Sequence, residues 1–107
     1  DLPWYVAKKD LESNELTCVQ GNVHPLLFSN ELTTKNIYLL EDNLPDSFEG
    51  TAKVRYRQQD QECKIYVKED RLNIRFSLPQ RSVTPGQSVV IYKDNKCLGG
   101  GEIDTIN

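Results

Sequence analysis

The sequence has few of the residues that metal sites and catalytic centres use. It contains no methionine, a single histidine, His24, and three cysteines, Cys18, Cys63 and Cys97, with no CxxC pair among them. A structural zinc site usually takes four closely spaced Cys or His ligands, which this inventory does not supply. A thiol enzyme needs a cysteine beside a histidine or another positive group, and nothing in the spacing ties His24 to a cysteine. We therefore expect no metal site and no catalytic residue.

No apolar run approaches the ~18 residues that a membrane-spanning helix requires, so membrane insertion is excluded. An odd number of widely spaced cysteines argues against a disulfide framework and indicates a reducing, cytoplasmic setting. The 107 residues suit one domain, or one domain with part of another. Because the chain starts at Asp1 and lacks methionine, we expect a processed or expressed fragment with sequence missing upstream.

The glycines at 99–101 in "CLGGGEIDTIN" do not form a phosphate-binding loop. Such loops space their glycines and lead into a helix, as in GxxxxGK[ST] or GxGxxG. Here only six residues follow the last glycine, which is too few for that helix. The run predicts a strand end or bulge where a side chain would clash with a neighbouring backbone.

The charge is unevenly distributed along the chain. The net charge is −3, yet residues 1–50 carry three lysines and nine acids, whereas residues 51–107 carry ten basic and seven acidic residues. Within 51–81 there are eight basic and four acidic residues. The basic charge is therefore concentrated in one segment, which decides more about binding partners than the total does.

Short stretches of alternating polarity between turn residues predict an all-β protein. "WYVAKKD" and "ELTCVQ" predict a hairpin from Trp4 to Gln20, and about six short strands follow it. Six strands suit a small closed β-barrel, since closure removes exposed sheet edges. In "RLNIRFSL" we expect Leu72, Ile74, Phe76 and Leu78 to point inward. The hairpin has the opposite charge balance and is assigned to a neighbouring domain.

The stretch "TAKVRYRQ" predicts a strand with one basic face, formed by Lys53, Arg55 and Arg57. These cations could simply be solvated surface residues. They could instead contact phosphates, with Tyr56 offering a stacking face and Gln58 a base-edge hydrogen bond, as in single-stranded RNA recognition. Periodicity alone leaves both interpretations open.

Three stretches together resemble the C-terminal part of the bacterial tRNA-specific 2-thiouridylase family. They are "PWYVAKKDLESNELTCVQGNVHPLLFS", "RYRQQDQECKI" and "SVTPGQSVVIYKDNKCLGGGEI". The likeness spans nearly the whole chain in the same order. It implies that residues 1–29 are the tail of a small central domain, and that residues 30–107 form a C-terminal barrel that contacts tRNA and is similar to the second domain of elongation factor Tu.

The resemblance also implies the chemistry of the full-length protein. In that family ATP, with Mg, activates the wobble uridine of certain tRNAs, and a cysteine persulfide delivers sulfur to make 2-thiouridine. The implied partners are tRNA with a wobble uridine and a sulfur-relay protein or cysteine desulfurase. The ATP-binding motif and the catalytic cysteines lie upstream in the family, so this chain alone is expected to be neither an enzyme nor a cofactor-binding unit.

Two tRNA-contact motifs of the family have matching residues here, which gives Arg55 and Tyr56 in "RYRQ" and Gln87 in "PGQS". Lys53, Arg57 and Gln58 join them by position only. The rival hypothesis is an interaction module, in which the barrel packs against its own protein or a sulfur-relay partner without touching RNA. That role predicts the basic stripe paired against the acidic N-terminal half.

Overall fold

The computed structural model describes residues 4–10, 15–20, 28–55 and 57–107. All regular structure within these ranges is β-strand. The first two strands, β1 (Trp4–Asp10) and β2 (Glu15–Gln20), pair antiparallel as a two-stranded sheet. The hairpin predicted from Trp4 to Gln20 is confirmed. Across the described ranges, no helix offers the length and apolarity needed to cross a membrane.

Six further strands close into an antiparallel barrel, in the order β3-β6-β5-β4-β7-β8 with β8 paired back to β3. The closed six-stranded barrel predicted from the sequence is confirmed. β3 begins two residues before the predicted domain boundary, and the division into two domains stays a prediction. The strands are β3 (Phe28–Leu39), β4 (Ser47–Lys53), β5 (Gln61–Lys68), β6 (Arg71–Arg81), β7 (Ser88–Lys93) and β8 (Lys96–Ile106).

The barrel interior is filled by alternate residues of every strand, because side chains alternate across a pleated sheet. Its fully buried centre includes Leu32, Ile65, Leu72, Ile74, Val89, Ile91 and Ile103.

One inward assignment is wrong, since Leu78 is 69% exposed. The pairing of β3 with β6 shifts between Ser29, opposite Gln80, and Glu31, opposite Arg75. Four residues of β6 but only one of β3 lie between these two pairs, so β6 bulges and its alternation breaks before Leu78.

The glycines of β8 lie where β8 runs between β3 and β7. A Cβ on Gly99 would lie 2.1 Å from the carbonyl oxygen of Tyr38 on β3, and one on Gly100 would lie 2.2 Å from that of Val89 on β7. Gly99 also has a φ of 137°, which favours glycine. The expectation that "CLGGG" marks a place too tight for side chains is confirmed, and the run lies inside β8 next to a register shift at Leu98 rather than at a strand end.

Candidate nucleic-acid interface

The barrel has a groove on its outer surface where β4 and β7 separate. The two strands are paired from Thr51, opposite Tyr92, to Lys53, opposite Val90, where β4 ends. Beyond this point the chain leaves the sheet, which opens a groove of about 470 Å³. The groove is lined by Lys53, Val54, Arg55, Gln87, Ser88, Val90 and Tyr92.

The basic strand is shorter than "TAKVRYRQ" predicts, because a turn replaces its last residues. The backbone N–H of Val54 donates to Oε1 of Gln58 at 2.9 Å, and the backbone N–H of Gln58 donates to the carbonyl of Arg55 at 3.2 Å. These bonds take the place of ladder bonds to a neighbouring strand. Arg57 therefore lies exposed in a turn rather than in one row with Lys53 and Arg55.

Arg55 is exposed but fixed in position. Its Nη2 donates to the carbonyl oxygens of Arg81 and Ser82 at the end of β6, the second at 3.3 Å. These neutral acceptors orient the guanidinium without cancelling its charge, and no carboxylate pairs with it in the part of the chain that the structure describes. The remaining N–H donors suit an anionic oxygen.

Lys53 is partly neutralised. Its Nζ lies 3.2 Å from Oδ1 of Asp60 and 5.5 Å from the ring centroid of Tyr92. The side chain is 31% exposed, so the ion pair is screened by water and holds the lysine only weakly. Lys53 thus contacts both Asp60 and the Tyr92 ring, and it lines the groove together with Tyr92.

Gln87 enters the groove from the turn that the sequence predicts. Gly86 has a φ of 95°, and the N–H of Gln87 donates to the carbonyl of Thr84 at 3.3 Å, as a type II turn requires. Oε1 of Gln87 accepts from the N–H of Thr84 at 3.2 Å. The side-chain NH₂ of Gln87 has no partner among the described residues and remains a donor.

Gln58 belongs to an amide network centred on the buried Gln80 rather than to the groove. Its Nε2 donates to Oε1 of Gln80 at 2.8 Å, and Nε2 of Gln80 donates to Oε1 of Gln61 at 3.2 Å and to the carbonyl of Leu78 at 3.0 Å. Gln80 is 3% exposed. Both ends of the Gln58 amide are therefore engaged in holding the turn after β4.

The structure brings together Lys53, Arg55 and Gln87, which come from two separate motifs. It places Arg57 and Gln58 outside the groove lining, and Tyr56 lies outside the described residues. Ser88, Val90 and Tyr92 line the groove but were missed, although alternation along "SVVIYK" puts the three on one face.

Comparison with known proteins decides the family. Residues 29–103 match the model of the aminomethyltransferase beta-barrel domain. The chain belongs to this family. The matched stretch includes residues of all six barrel strands and every residue that lines the groove.

Relatives of this barrel-domain chain carry the name tRNA-specific 2-thiouridylase MnmA. Those of Francisella tularensis subsp. novicida (strain U112), subsp. tularensis (strain SCHU S4 / Schu 4) and subsp. holarctica (strain LVS) are each 51% identical over 105 residues. The alignments cover 96% of this chain and 29% of each relative, so the chain spans under a third of their length. The resemblance to the 2-thiouridylase family is confirmed.

Proposed function

We propose that this chain is the tRNA-recognition module of a tRNA-specific 2-thiouridylase. The full-length protein uses ATP and a cysteine persulfide to form 2-thiouridine at the wobble position, with a sulfur-relay protein or cysteine desulfurase as its sulfur source. The barrel takes no part in the chemistry. It holds the RNA while the wobble base, turned out of its stack, reaches an active site elsewhere in the protein.

One observation carries this proposal. Arg55 and Gln87 are 32 positions apart in the sequence and belong to different motifs, yet they line the same groove. Solvated surface charge gives no reason for such convergence. A positive fork beside an amide donor at a strand end is an arrangement that binds phosphate and sugar oxygens.

The surroundings of the cations favour recognition over packing. The packing hypothesis predicts ion pairs between the basic stripe and the acidic N-terminal half. Within residues 28–55 and 57–107, Lys53 pairs with Asp60 instead, and Arg55 binds main-chain carbonyls. These contacts leave the guanidinium exposed and charged, as a phosphate ligand has to be.

Burial argues against chemistry at the cysteine in the barrel interior. Cys63 is 4% exposed, and desolvation raises the pKa of its thiol to about 12. A nucleophilic or persulfide-carrying cysteine needs a thiolate that its partner can reach. Cys63 is therefore a packing residue, which agrees with a binding role for the barrel.

Binding to tRNA across a salt series tests the proposal. Fluorescence anisotropy with a tRNA carrying a wobble uridine is measured for the wild type, Arg55→Ala and Gln87→Ala. We expect Arg55→Ala to weaken binding and to reduce the slope of log affinity against log salt by about one. Gln87→Ala should weaken binding with little change in slope, because the amide is neutral.

Lys68→Ala is the matched control, since Lys68 is an exposed cation at the end of β5 and does not line the groove. It should leave the slope as in the wild type. If all variants are folded and no protein binds tRNA at low salt, the packing role replaces this proposal.

A further inference from the structure

We infer that the β4–β7 groove binds one unstacked nucleobase of a single-stranded RNA segment against Tyr92 and Val90, while Lys53 and Arg55 hold the adjoining phosphates. This inference rests on the proposed function and specifies what part of an RNA the groove takes. It assigns a binding role to Tyr92, Val90 and Ser88, which neither the motifs nor the relatives indicate.

The floor of the groove is more apolar than phosphate binding requires. Ser88, Val90 and Tyr92 alternate with the buried Val89 and Ile91, so they lie on the outer face of β7. Outer faces of such strands are normally polar. Val90 and Tyr92 are half-buried side by side there, and a ligand that offers only phosphate oxygens gains nothing from them.

An unstacked nucleotide fits both the apolar floor of the groove and the polar and charged side chains around it. Every nucleobase has an apolar π-face, and proteins that bind single strands stack such faces on aromatic side chains beside a positive groove. In a duplex these faces are covered by neighbouring base pairs, so only an unpaired nucleotide can present one. A volume of about 470 Å³ lies in the ordinary range for a small-molecule site, about 300–1,000 Å³.

The polar groups around the floor are placed to hold such a base. No described residue accepts from the Gln87 NH₂, so it is a donor for a base carbonyl, while Oε1 already accepts from the N–H of Thr84. The Lys53 ammonium lies over the Tyr92 ring, 5.5 Å from its centroid, so a base that stacks on this face displaces the ammonium to the edge of the ring, beside the base's own phosphate. Ring and cation then act on adjacent parts of one nucleotide.

The groove is also held in place before any ligand binds. Main-chain carbonyls of Arg81 and Ser82 fix the Arg55 guanidinium, and the Gln58–Gln80 bond anchors the turn that carries it. A preformed site loses less conformational entropy when the ligand binds.

Short RNAs that differ only in their bases test this inference. The probes are a labelled oligouridylate of about eight nucleotides, within the usual site size of single-strand binders, and an abasic ribose-phosphate strand of equal length. Both carry the same backbone charge. We expect the wild-type chain to bind the oligouridylate at least about fivefold more tightly than the abasic strand, the lower end of what one stacked base contributes.

Substitutions at Tyr92 show whether the preference for the oligouridylate over the abasic strand arises in the groove. Tyr92→Leu should remove the preference for bases and leave binding of the abasic strand unchanged, while Tyr92→Phe, which keeps the ring, should retain it. Tyr66→Leu is the matched control. Tyr66 is also a half-buried strand tyrosine with cations over its ring, Lys64 and Arg75, but it does not line this groove.

Equal affinity for the two strands would overturn the inference and leave tRNA binding through phosphates intact. Equal loss in Tyr66→Leu and Tyr92→Leu would also overturn it, because the base would then stack outside the groove. If neither strand nor tRNA binds the folded chain, the proposed function fails together with the inference.

Discussion

The barrel contains two contrasting seams, one at β3–β8 and one at β4–β7. At β3–β8 the strands pair from Leu32, opposite Ile106, to Leu39, opposite Gly99. At β4–β7 pairing ends after three residues of β4, at Lys53. At the first seam, glycines on β8 let the backbones of the two strands approach closely. The second seam is open and is lined by cations, an amide and an aromatic ring.

This contrast separates the two glycine-containing motifs near the C-terminus by what they do. "CLGGG" belongs to the tight seam, where a Cβ would meet backbone oxygen. Gly86 in "TPGQS" has nothing within 4 Å of its Cβ position, and the turn it permits places Gln87 at the open seam. One motif closes the barrel and the other presents a functional side chain.

The largest expected effect comes from Gly100→Val, on the β8 strand of the tight seam, where the new side chain meets the β7 backbone on the other side of β8. A Cβ at 2.2 Å from the Val89 carbonyl oxygen cannot be relieved by a side-chain rotation, so backbone must move. We expect a loss of about 3 kcal/mol or more in the free energy of unfolding, at the upper end of overpacking costs. Urea unfolding followed by circular dichroism measures it.

Gly86→Ala is the control for that change. A Cβ at this position has no atom within 4 Å, so the only cost is the positive φ of 95°. That conformation costs an alanine about 1–2 kcal/mol. The contrast between the seams fails if Gly86→Ala destabilises the chain as much as Gly100→Val. It also fails if folded Gly100→Val loses RNA binding selectively.

A smaller loss of stability is expected from Gln80→Leu. Gln80 bonds to Gln58 and Gln61 and so holds the turn that follows β4 at the open seam. This change removes the acceptor of Gln58 Nε2 and the donor to Gln61 Oε1. Leaving these half-buried polar groups unpaired should cost about 1–2 kcal/mol, the lower part of the range for buried groups, and the loosened turn should weaken tRNA binding as well. Unfolding and anisotropy are measured on the same samples.

Gln59→Leu, at an exposed position of the same loop, should change neither quantity by much. Should Gln80→Leu bind tRNA as tightly as the wild type, the network has no part in positioning the Arg55 guanidinium.

The smallest expected effect concerns the interior that both seams enclose. The folded-state pKa of Cys63, about 12, lies above the unfolded value of about 8.5. Its contribution to stability is therefore fully present below about pH 8.5 and is lost as the pH rises towards 12. Cys63→Ala has no such group, so its stability deficit relative to the wild type should shrink by about 1 kcal/mol between about pH 8 and 9.5. A constant deficit in urea unfolding would show that the thiol stays hydrated.

Much of the fold could be predicted because alternation and turn chemistry are local. The strands around Cys63, Leu72 and Val89, the Pro85–Gly86 turn and barrel closure all follow from period-two patterns and glycine placement. Leu78 could not be placed, since its exposure depends on an extra stretch in β6 relative to its partner strand.

The candidate site was only partly predictable. Arg55 and Gln87 were found through motifs, but they meet only because β4 ends before Val54, whose N–H donates to the side-chain oxygen of Gln58 instead of to a neighbouring strand. Alternation treats "TAKVRYRQ" as one strand and cannot detect such a bond. Tyr92 was missed because its neighbours across the groove come from a distant strand.

RNA binding at the β4–β7 seam is tested most directly by titrating the isotopically labelled chain with wobble-uridine tRNA and following the backbone amides by NMR. We expect shifts concentrated at residues 53–58 and 86–92, with amides at 38–39 and 99–100 unchanged. Shifts confined to the β3–β8 seam, or none at the β4–β7 seam while tRNA binds, would contradict RNA binding in the β4–β7 groove.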